Sequence, residues 1–312
     1  MQNTIPELVG SYIKYLRYVE EYEKQGFIDL SSVRFFYPTT LLPLSLFIKE
    51  QNCKYNEPTD TNIAYYIRLI NKGETQHDSK SYIPIISLPS DKKEFDYSYT
   101  LLSKYLNNWL SNISDILDYI IYELVDNSYQ HSKCTLAYIM AQAYKKRRFV
   151  EFVVIDNGIT IGGSLRQSKR IDYNVNDSSA IYKALEGYSA KSEPGRGYGL
   201  STSIRLVTEI LMGEAMIVSG RGLIYLVCGE GMGGRGNNGD SDSDSDRDSD
   251  KVNWQKGRRG LISELGKGLR GTLISIRLQL DLNYNIINLE EEVEKVIKLN
   301  EYNIQWLDTE HI

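Results

Sequence analysis

The sequence predicts an α+β protein, arranged as two units that divide between residues 94 and 95. Three observations support this fold class. Residues 113–124 carry apolar side chains at helical spacing. Residues 135–156 contain two apolar runs of strand length, TLAYIMAQAY and FVEFVVID. Residues 88–97 (LPSDKKEFDY) are polar and separate these elements from an N-terminal third with similar patterns, so we place the boundary there.

The N-terminal unit, residues 1–94, is expected to be a small α/β module. Residues 8–25 have helical periodicity, and residues 27–37 (FIDLSSVRFFY) are expected to form an apolar strand. A helix follows with Thr39 or Thr40 as its N-cap, because a hydroxyl there can accept a hydrogen bond from a free N–H of the first turn. The later run SYIPIISL is strand-like, and its proline indicates an edge strand because proline lacks a backbone N–H.

The C-terminal unit, residues 95–312, alternates helices and strands around an insertion. Residues 229–255 are a Gly/Asn and then Asp-Ser run, which we expect to be a disordered insertion between two strands of one sheet. The other elements expected in chain order are helices at 98–111 and 113–131, a polar loop over 163–194 with a short helix near 178–187, a helix over 200–214, a strand pair turning near Gly220 and Gly222, a strand at 271–280 and a helix at 290–299.

The composition excludes several classes of protein. The chain has no run of eighteen apolar residues, so no membrane span is expected. Six Asp and one Arg between residues 240 and 250 account for the whole formal net charge of −5, and the balanced remainder disfavours nucleic-acid binding. Three scattered cysteines lack metal-site spacing, and the N-terminus has no secretory signal, so we expect a reducing cytoplasm.

The first candidate motif is ELVDNSYQH, which places Glu123, Asn127 and His131 along one edge of a helix. An amide oxygen such as that of Asn127 is a ligand that Mg²⁺ accepts while it binds phosphates. A carboxylate one turn earlier can take a proton from an attacking hydroxyl or water. An ordinary solvated helix face would carry the same residue types, so this motif needs support from the others.

Three further motifs follow along the chain. Asp156 ends an apolar strand and is followed by Gly158, so a carboxylate that can accept from an exocyclic amine lies where the backbone can approach a ligand closely. An ordinary Asp-Asn-Gly turn would have the same sequence. The loop GRGYGL precedes a helix, and its amides can face phosphate oxygens, although a flexible linker is the alternative. Gly271-Thr272 opens a late strand.

In this order the four motifs resemble the GHKL ATPase superfamily, which includes gyrase B, the histidine kinases and the anti-sigma-factor kinases. The resemblance covers about residues 98–290. It implies a Bergerat fold, a two-layer α/β sandwich with helices on one face of a mixed sheet, which binds ATP and Mg²⁺ beneath a lid, here residues 163–194. It implies Asn127 as the Mg²⁺ ligand and Glu123 as the general base. The other residues that it places around the nucleotide are His131, Asp156, Gly158, Gly195, Gly197, Gly199, Leu200 and Thr272.

The resemblance also implies roles for these residues. Asp156 would bind the adenine amine and Thr272 would support the adenine, while the glycine-rich loop would wrap the phosphates. His131 would lie near the phosphates, although a surface histidine at a helix end is the alternative. The superfamily usually has a second glycine two residues after Gly158, and here that position is Thr160. The entrance of the lid is therefore expected to follow a different path.

Residues 20–90 resemble a STAS domain, the fold of anti-anti-sigma factors, in which an apolar strand meets a helix at a phosphorylated Ser/Thr turn. Here that turn contains Thr39 and Thr40, without the usual acidic residue and glycine. An unrelated α/β cap that packs on the ATPase unit is the alternative.

Two functions follow from these resemblances. The first is an ATP-binding regulatory protein of bacterial type, in which Glu123 supports slow Mg²⁺-dependent hydrolysis or phosphorylation of a Ser/Thr on a protein partner. The second is a switch in which ATP closes the lid and builds a partner or homodimer surface with little or no catalysis. An autophosphorylating histidine kinase is disfavoured because none of the three histidines, His77, His131 and His311, is on a helix suited to dimerisation.

Overall fold

The computed structural model describes residues 5–72, 82–88, 109–130, 134–188, 199–228 and 258–280, together with residues 103, 104 and 106. The described elements are seven α-helices and seven strands, with a short 3-10 helix at Ser111–Ile113 and a π-helical segment at Leu206–Ile210. In chain order they are α1 (Glu7–Gln25), β1 (Phe27–Asp29), α2 (Pro38–Gln51), β2 (Lys54–Asn56), α3 (Thr61–Lys72), β3 (Tyr82–Leu88), α4 (Ser114–Gln130), β4 (Ala137–Tyr144), β5 (Phe149–Asp156), α5 (Ile161–Gln167), α6 (Asp177–Leu185), α7 (Gly199–Arg205), β6 (Glu214–Cys228) and β7 (Arg258–Gln279).

A five-stranded sheet in the order β3-β4-β5-β7-β6 forms the centre of the described structure. We expected a mixed sheet, but every pairing among these five strands is antiparallel. β4 and β5 pair as predicted and are joined by a short connection, which antiparallel neighbours allow and parallel neighbours do not. The proline-containing strand β3 lies at the edge, as predicted. It precedes the boundary placed at residues 94 and 95, so the two predicted units share one sheet.

β6 and β7 are longer than the sequence pattern indicated. Residues 215–229 were expected to form a strand pair, but β6 is one strand that pairs with β7 along its length. Gly220 has a φ of +61° at a register shift, so the glycines there form a bulge and not a turn. β7 begins at Arg258, before the expected start at residue 271. The predicted insertion at 229–255 and the helix at 290–299 lie outside the described residues.

Helices α4, α6 and α7 pack on one face of the sheet. The predicted apolar stripe of α4 is buried there, which confirms its assignment as a core helix. A π-helical segment, Leu206–Ile210, extends α7, so the single helix expected over residues 200–214 changes geometry after Arg205. No helix among the described residues is long and apolar enough to cross a membrane.

The N-terminal helices cover the opposite face of the same sheet. Leu8 and Tyr12 of α1 belong to one apolar core with Val153 and Ile155 of β5. All eight residues of β5 are buried, and a strand buried on both faces needs a cover on each. Within the C-terminal unit the helices lie on one face of the sheet, as the expected sandwich has them, and α1 and α2 of the N-terminal segment add a third layer on the other face.

The N-terminal segment departs from its predicted elements in two ways. Within residues 27–37, only β1 is a strand, and it pairs in parallel with β2. α2 begins at Pro38 with Tyr37 as its N-cap, so neither Thr39 nor Thr40 has the expected capping role. Both threonines are buried, and an accessible phosphorylation turn of the STAS type is not present at this position.

A buried polar cluster joins α2 to the sheet. Thr39 donates from its backbone N–H (2.9 Å) and its hydroxyl (2.7 Å) to Glu151 Oε1 on β5. Arg277 on β7 donates to Glu151 Oε2 (2.8 Å) and to Glu7 Oε2 of α1 (2.7 Å). Glu151 and Arg277 are 0% and 5% exposed, respectively. The Glu151 carboxylate thus takes the place of a capping side chain at the N-terminus of α2, where negative charge is favourable.

Candidate functional site

The candidate site begins on the half-buried side of α4. Glu123 and Asn127 lie one turn apart, and neither is fully buried or fully exposed. The Asn127 Nδ2 atom is buried and has no hydrogen-bond partner among the described residues. Buried amide groups are normally satisfied, so this atom indicates a place where a ligand or water would complete the site. His131, the third member of the predicted edge, lies outside the described residues.

The N-terminus of α7 lies directly against Glu123. A Cβ atom on Gly199 would overlap the Glu123 carboxylate, so only glycine leaves room for that side chain. Two motifs separated by more than seventy residues in the chain thus meet in the structure. Leu200, the next residue, packs against the apolar core below. Gly195 and Gly197 lie outside the described residues, so their predicted contact with phosphates remains a prediction.

Tyr119 lies on α4 one turn before Glu123. Burial raises the pKa of Tyr119 to about 12, with the negative charge of Glu123 adding to the shift and a hydrogen bond with Thr202 opposing it. The Tyr119 hydroxyl therefore stays neutral near pH 7. Tyr119 and Thr202 were not predicted from the sequence, because their contact joins α4 to α7 and no local pattern reveals it.

Asp156 is the last residue of β5 and is 5% exposed. It lies on the face of the sheet that α4, α6 and α7 cover. Its Oδ1 accepts from the Gly158 N–H at 2.9 Å, so the predicted Asp-x-Gly turn is closed by the carboxylate itself. Thr272 lies opposite Asp156 in the β5–β7 register. Gly271 has a φ of +84°, and a Cβ there would overlap the Asp156 carbonyl. Glycine at position 271 therefore lets the two predicted base-site residues come together.

Ser219 on β6 lies beside these two residues and was not predicted from the sequence. It lies opposite Thr272 in the β6–β7 register, and their hydroxyl oxygens are 2.9 Å apart. Asp156, Thr272 and Ser219 thus form one polar row across three strands. The next row on the same face, Val154, Ile274 and Ile217, is apolar. A single serine within AMIVSG was the only sequence signal, and it became informative once the register was known.

Thr160 replaces the second glycine of the superfamily pattern and has a clear structural role. It is the N-cap of α5, and its hydroxyl accepts from the Gly163 N–H at 2.9 Å. The Ile161 N–H, which also has no partner within the helix, donates to Ser219 Oγ at 2.8 Å. The entrance of the predicted lid is therefore a capped helix tied to β6.

The described part of the predicted lid is fixed to the β6–β7 strands through the N-terminus of α6. Asp177 forms an ion pair with Arg166 at 2.9 Å and accepts from the Arg221 N–H at 2.9 Å. The Ser178 N–H donates to Glu264 of β7 at 2.6 Å. These contacts place acidic groups at a helix N-terminus, where they are stabilising. The short helix predicted near residues 178–187 is confirmed as α6.

Comparison with known proteins agrees with this geometry. The profile of one family, described as histidine kinase-, DNA gyrase B-, and HSP90-like ATPase, matches residues 112–280, more than half of the chain. No match was found among curated proteins or among solved structures. The matched range begins just before α4, ends just after β7 and contains every candidate residue named above. The chain therefore belongs to the histidine kinase-, DNA gyrase B-, and HSP90-like ATPase family.

Proposed function

We propose that this chain is a GHKL-type regulatory protein that binds ATP with Mg²⁺ and uses Glu123 for slow hydrolysis or for phosphorylation of a Ser/Thr on a protein partner. The observation that carries this proposal is the contact between Glu123 and the helix start at Gly199, beside the unsatisfied amide of Asn127. A carboxylate, an amide and a helix N-terminus converge there, and each is suited to one part of a metal-bound triphosphate.

The donor set fits magnesium and a nucleotide. Asn127 would hold Mg²⁺ through its amide oxygen, and Mg²⁺ supplies neutralisation of phosphate charge. Glu123 would take the proton of the attacking hydroxyl or water. At the other end, the Asp156 carboxylate, which also accepts from the Gly158 N–H, would accept from the adenine amine. Thr272 lies beside it as the second polar group of the base site.

A switch without significant catalysis is the second candidate, and one feature of β5 favours it. The strand presents Asp156 to the nucleotide side and Glu151 to the N-terminal helices on the other side. A change in β5 on nucleotide binding would therefore act on the contact with α2. The two functions are separated by a non-hydrolysable ATP analogue, which suffices to produce the functional state of a switch but not the product of a kinase.

Replacing the proposed base tests the catalytic role. Glu123→Ala is expected to bind ATP with parental affinity and to lower turnover about 100-fold or more, the usual contribution of a general base. ATP affinity is measured by calorimetry with Mg²⁺, and turnover by phosphate release or by phosphoryl transfer to a partner. Asp115→Asn, which removes an exposed carboxylate from the first turn of the same helix, is the control. Parental turnover in Glu123→Ala would show that the assigned base is wrong.

The contact at Gly199 provides an independent test. Gly199→Ala is expected to displace the Glu123 carboxylate, because the side chain can rotate away from the new Cβ more easily than the helix can move. Turnover should fall at least tenfold while the midpoint of thermal unfolding stays close to the parental value. Gly10→Ala in α1, where a Cβ meets no atom within 4 Å, is the control for a helical glycine. Parental turnover in Gly199→Ala would contradict the placement of Glu123.

A further inference from the structure

The turn between β4 and β5 consists of four consecutive basic residues, 145–148 (KKRR), and all four are exposed. This basic turn lies at the end of the sheet opposite to the candidate base site, since β5 begins at Phe149 and ends at Asp156. Neither Lys145 nor Lys146 forms an ion pair with any other residue that the structure describes. Positive charge at this turn is therefore available to a partner outside the described residues.

The acidic run of the chain is attached at this same end of the sheet. It belongs to residues 229–257, which lie outside the described residues, and the residues that flank them, Cys228 and Arg258, are partners in the β6–β7 register. The Cys228 Sγ atom lies 3.2 Å from the Sδ atom of Met212, which precedes β6. β6 therefore bends at its bulge and ends beside its own start.

The start of β6 lies level with the basic turn. Glu214 of β6 pairs with Arg277 of β7, and Arg277 pairs with Glu151 of β5. The Leu280 N–H, just after β7, donates to the Arg148 carbonyl within the turn at 2.9 Å. Neighbouring strands are about 4.8 Å apart, so the end of β6, three strand spacings from β5, lies about 15 Å from the turn.

The chain that follows the acidic run is long enough to span this distance. Residues 251–257, seven in number, connect the run to β7. An extended chain advances about 3.4 Å per residue, so seven residues reach about 24 Å. Arg258 lies one further strand spacing from the turn, at about 20 Å. The run at residues 240–250 can therefore contact the turn of the same molecule without any change in the sheet.

We propose that the basic turn is a docking surface for the chain's own acidic run, residues 240–250. The charges are complementary: six Asp and one Arg give the run −5, and the turn carries +4, of which Arg147 also pairs with Glu7. Exposed ion pairs are individually weak, but attachment within one chain gives the run a high effective concentration at the turn. While docked, the run occupies the surface that an acidic segment of another protein would otherwise contact.

Chemical cross-linking of the full chain tests this contact. A carbodiimide joins a carboxylate to a lysine amine that lies next to it, and peptide mass spectrometry locates the link. We expect residues 240–250 to be linked to Lys145 or Lys146 at least about fivefold more often than to Lys54 or Lys169, because only the turn would hold the run nearby. Lys54 and Lys169 are exposed lysines on β2 and after α5, and they serve as internal controls.

The other outcomes of the cross-linking overturn the proposal. Links formed only with lysines inside residues 251–257 would show that the run pairs with its own neighbours and not with the turn. A mixture of isotope-labelled and unlabelled chains distinguishes links within one molecule from links between two. Links mainly between labelled and unlabelled chains would show that a second copy occupies the turn, and equal yields at all exposed lysines would show no docking.

A second measurement compares the acetylation rates of lysines in the folded chain. Replacing the six aspartates of the run (Asp→Asn) keeps its length and removes its negative charge, so acetylation of Lys145 and Lys146 should become about threefold faster. The rates at Lys54 and Lys169 should not change. For the parental chain, 1 M salt should have the same selective effect, because it reduces the screening length to about 3 Å. Unchanged rates at the turn in both experiments would overturn the proposal, and the salt experiment requires no substitution.

Discussion

Asp156→Asn is expected to weaken ATP binding at least about 100-fold, because it replaces the only acceptor proposed for the adenine amine. The asparagine has the same shape, but its amide has only one acceptor oxygen. If its NH₂ group faces the adenine amine, two donors meet; if it faces the Gly158 N–H, the hydrogen bond that Oδ1 accepts there is lost. A carboxylate that accepts from a neutral amine also forms a stronger hydrogen bond than an amide does. The affinity is measured by titration calorimetry with and without Mg²⁺.

The control for this substitution must separate lost binding from lost folding. Asp172→Asn changes an exposed carboxylate on the described part of the lid and should bind ATP as the parental chain does. The thermal midpoint of ligand-free Asp156→Asn should remain close to the parental midpoint, since the substitution creates no cavity. Parental affinity in Asp156→Asn would contradict the base-site assignment, whereas a collapse of the midpoint would show that the carboxylate is mainly structural.

Glu151→Ala is expected to lower the free energy of unfolding by about 3–5 kcal/mol, the usual cost of removing one partner of a buried ion pair. It leaves the Arg277 guanidinium, 5% exposed, without its most buried partner. It also removes the acceptor of two hydrogen bonds from Thr39 at the start of α2. Urea denaturation measures the change. If nucleotide binding also falls, the alternative function, in which β5 links the two faces of the sheet, gains support.

Two further variants make this result specific. Glu57→Ala breaks an ion pair with Arg68 of the same length, 2.8 Å, but both side chains there are largely exposed, so the loss should stay below about 1 kcal/mol. The double variant Glu151→Leu with Arg277→Met should recover part of the stability lost in Glu151→Ala, because no buried charge is left uncompensated. Equal losses in Glu151→Ala and Glu57→Ala would mean that the buried cluster contributes little to stability.

Local sequence patterns identified the elements whose conformation depends mainly on residues close in the chain. The apolar stripe of α4 lies on one side of one helix, and a 3.6-residue period marks it without ambiguity. β4 and β5 are separated by a short polar connection, and their antiparallel pairing follows from its length. The order of the four motifs was enough to indicate the family, because the order of residue types can be read along the chain without knowing which residues are in contact.

Other features depended on distant parts of the chain. Residues 215–229 contain glycines that suit a turn, but the long partner β7 makes β6 continuous and converts them to a bulge. Thr39 looked like a helix cap, but a carboxylate more than one hundred positions later accepts its hydrogen bonds. In both cases the residues do favour the predicted turn or cap locally, but a tertiary contact that stabilises the fold more strongly determined the conformation.

The sequence by itself determined the residue types that we propose for the site: a carboxylate and an amide one turn apart, a carboxylate at a strand end and a glycine before a helix. These choices are local, since each depends on a side-chain type and its position within one element. The tertiary structure alone decided that Glu123 meets Gly199, that Ser219 joins Thr272 and Asp156, and that α1 and α2 cover the second face of the sheet. Strand register and helix packing set these contacts, and both depend on residues far apart in the chain.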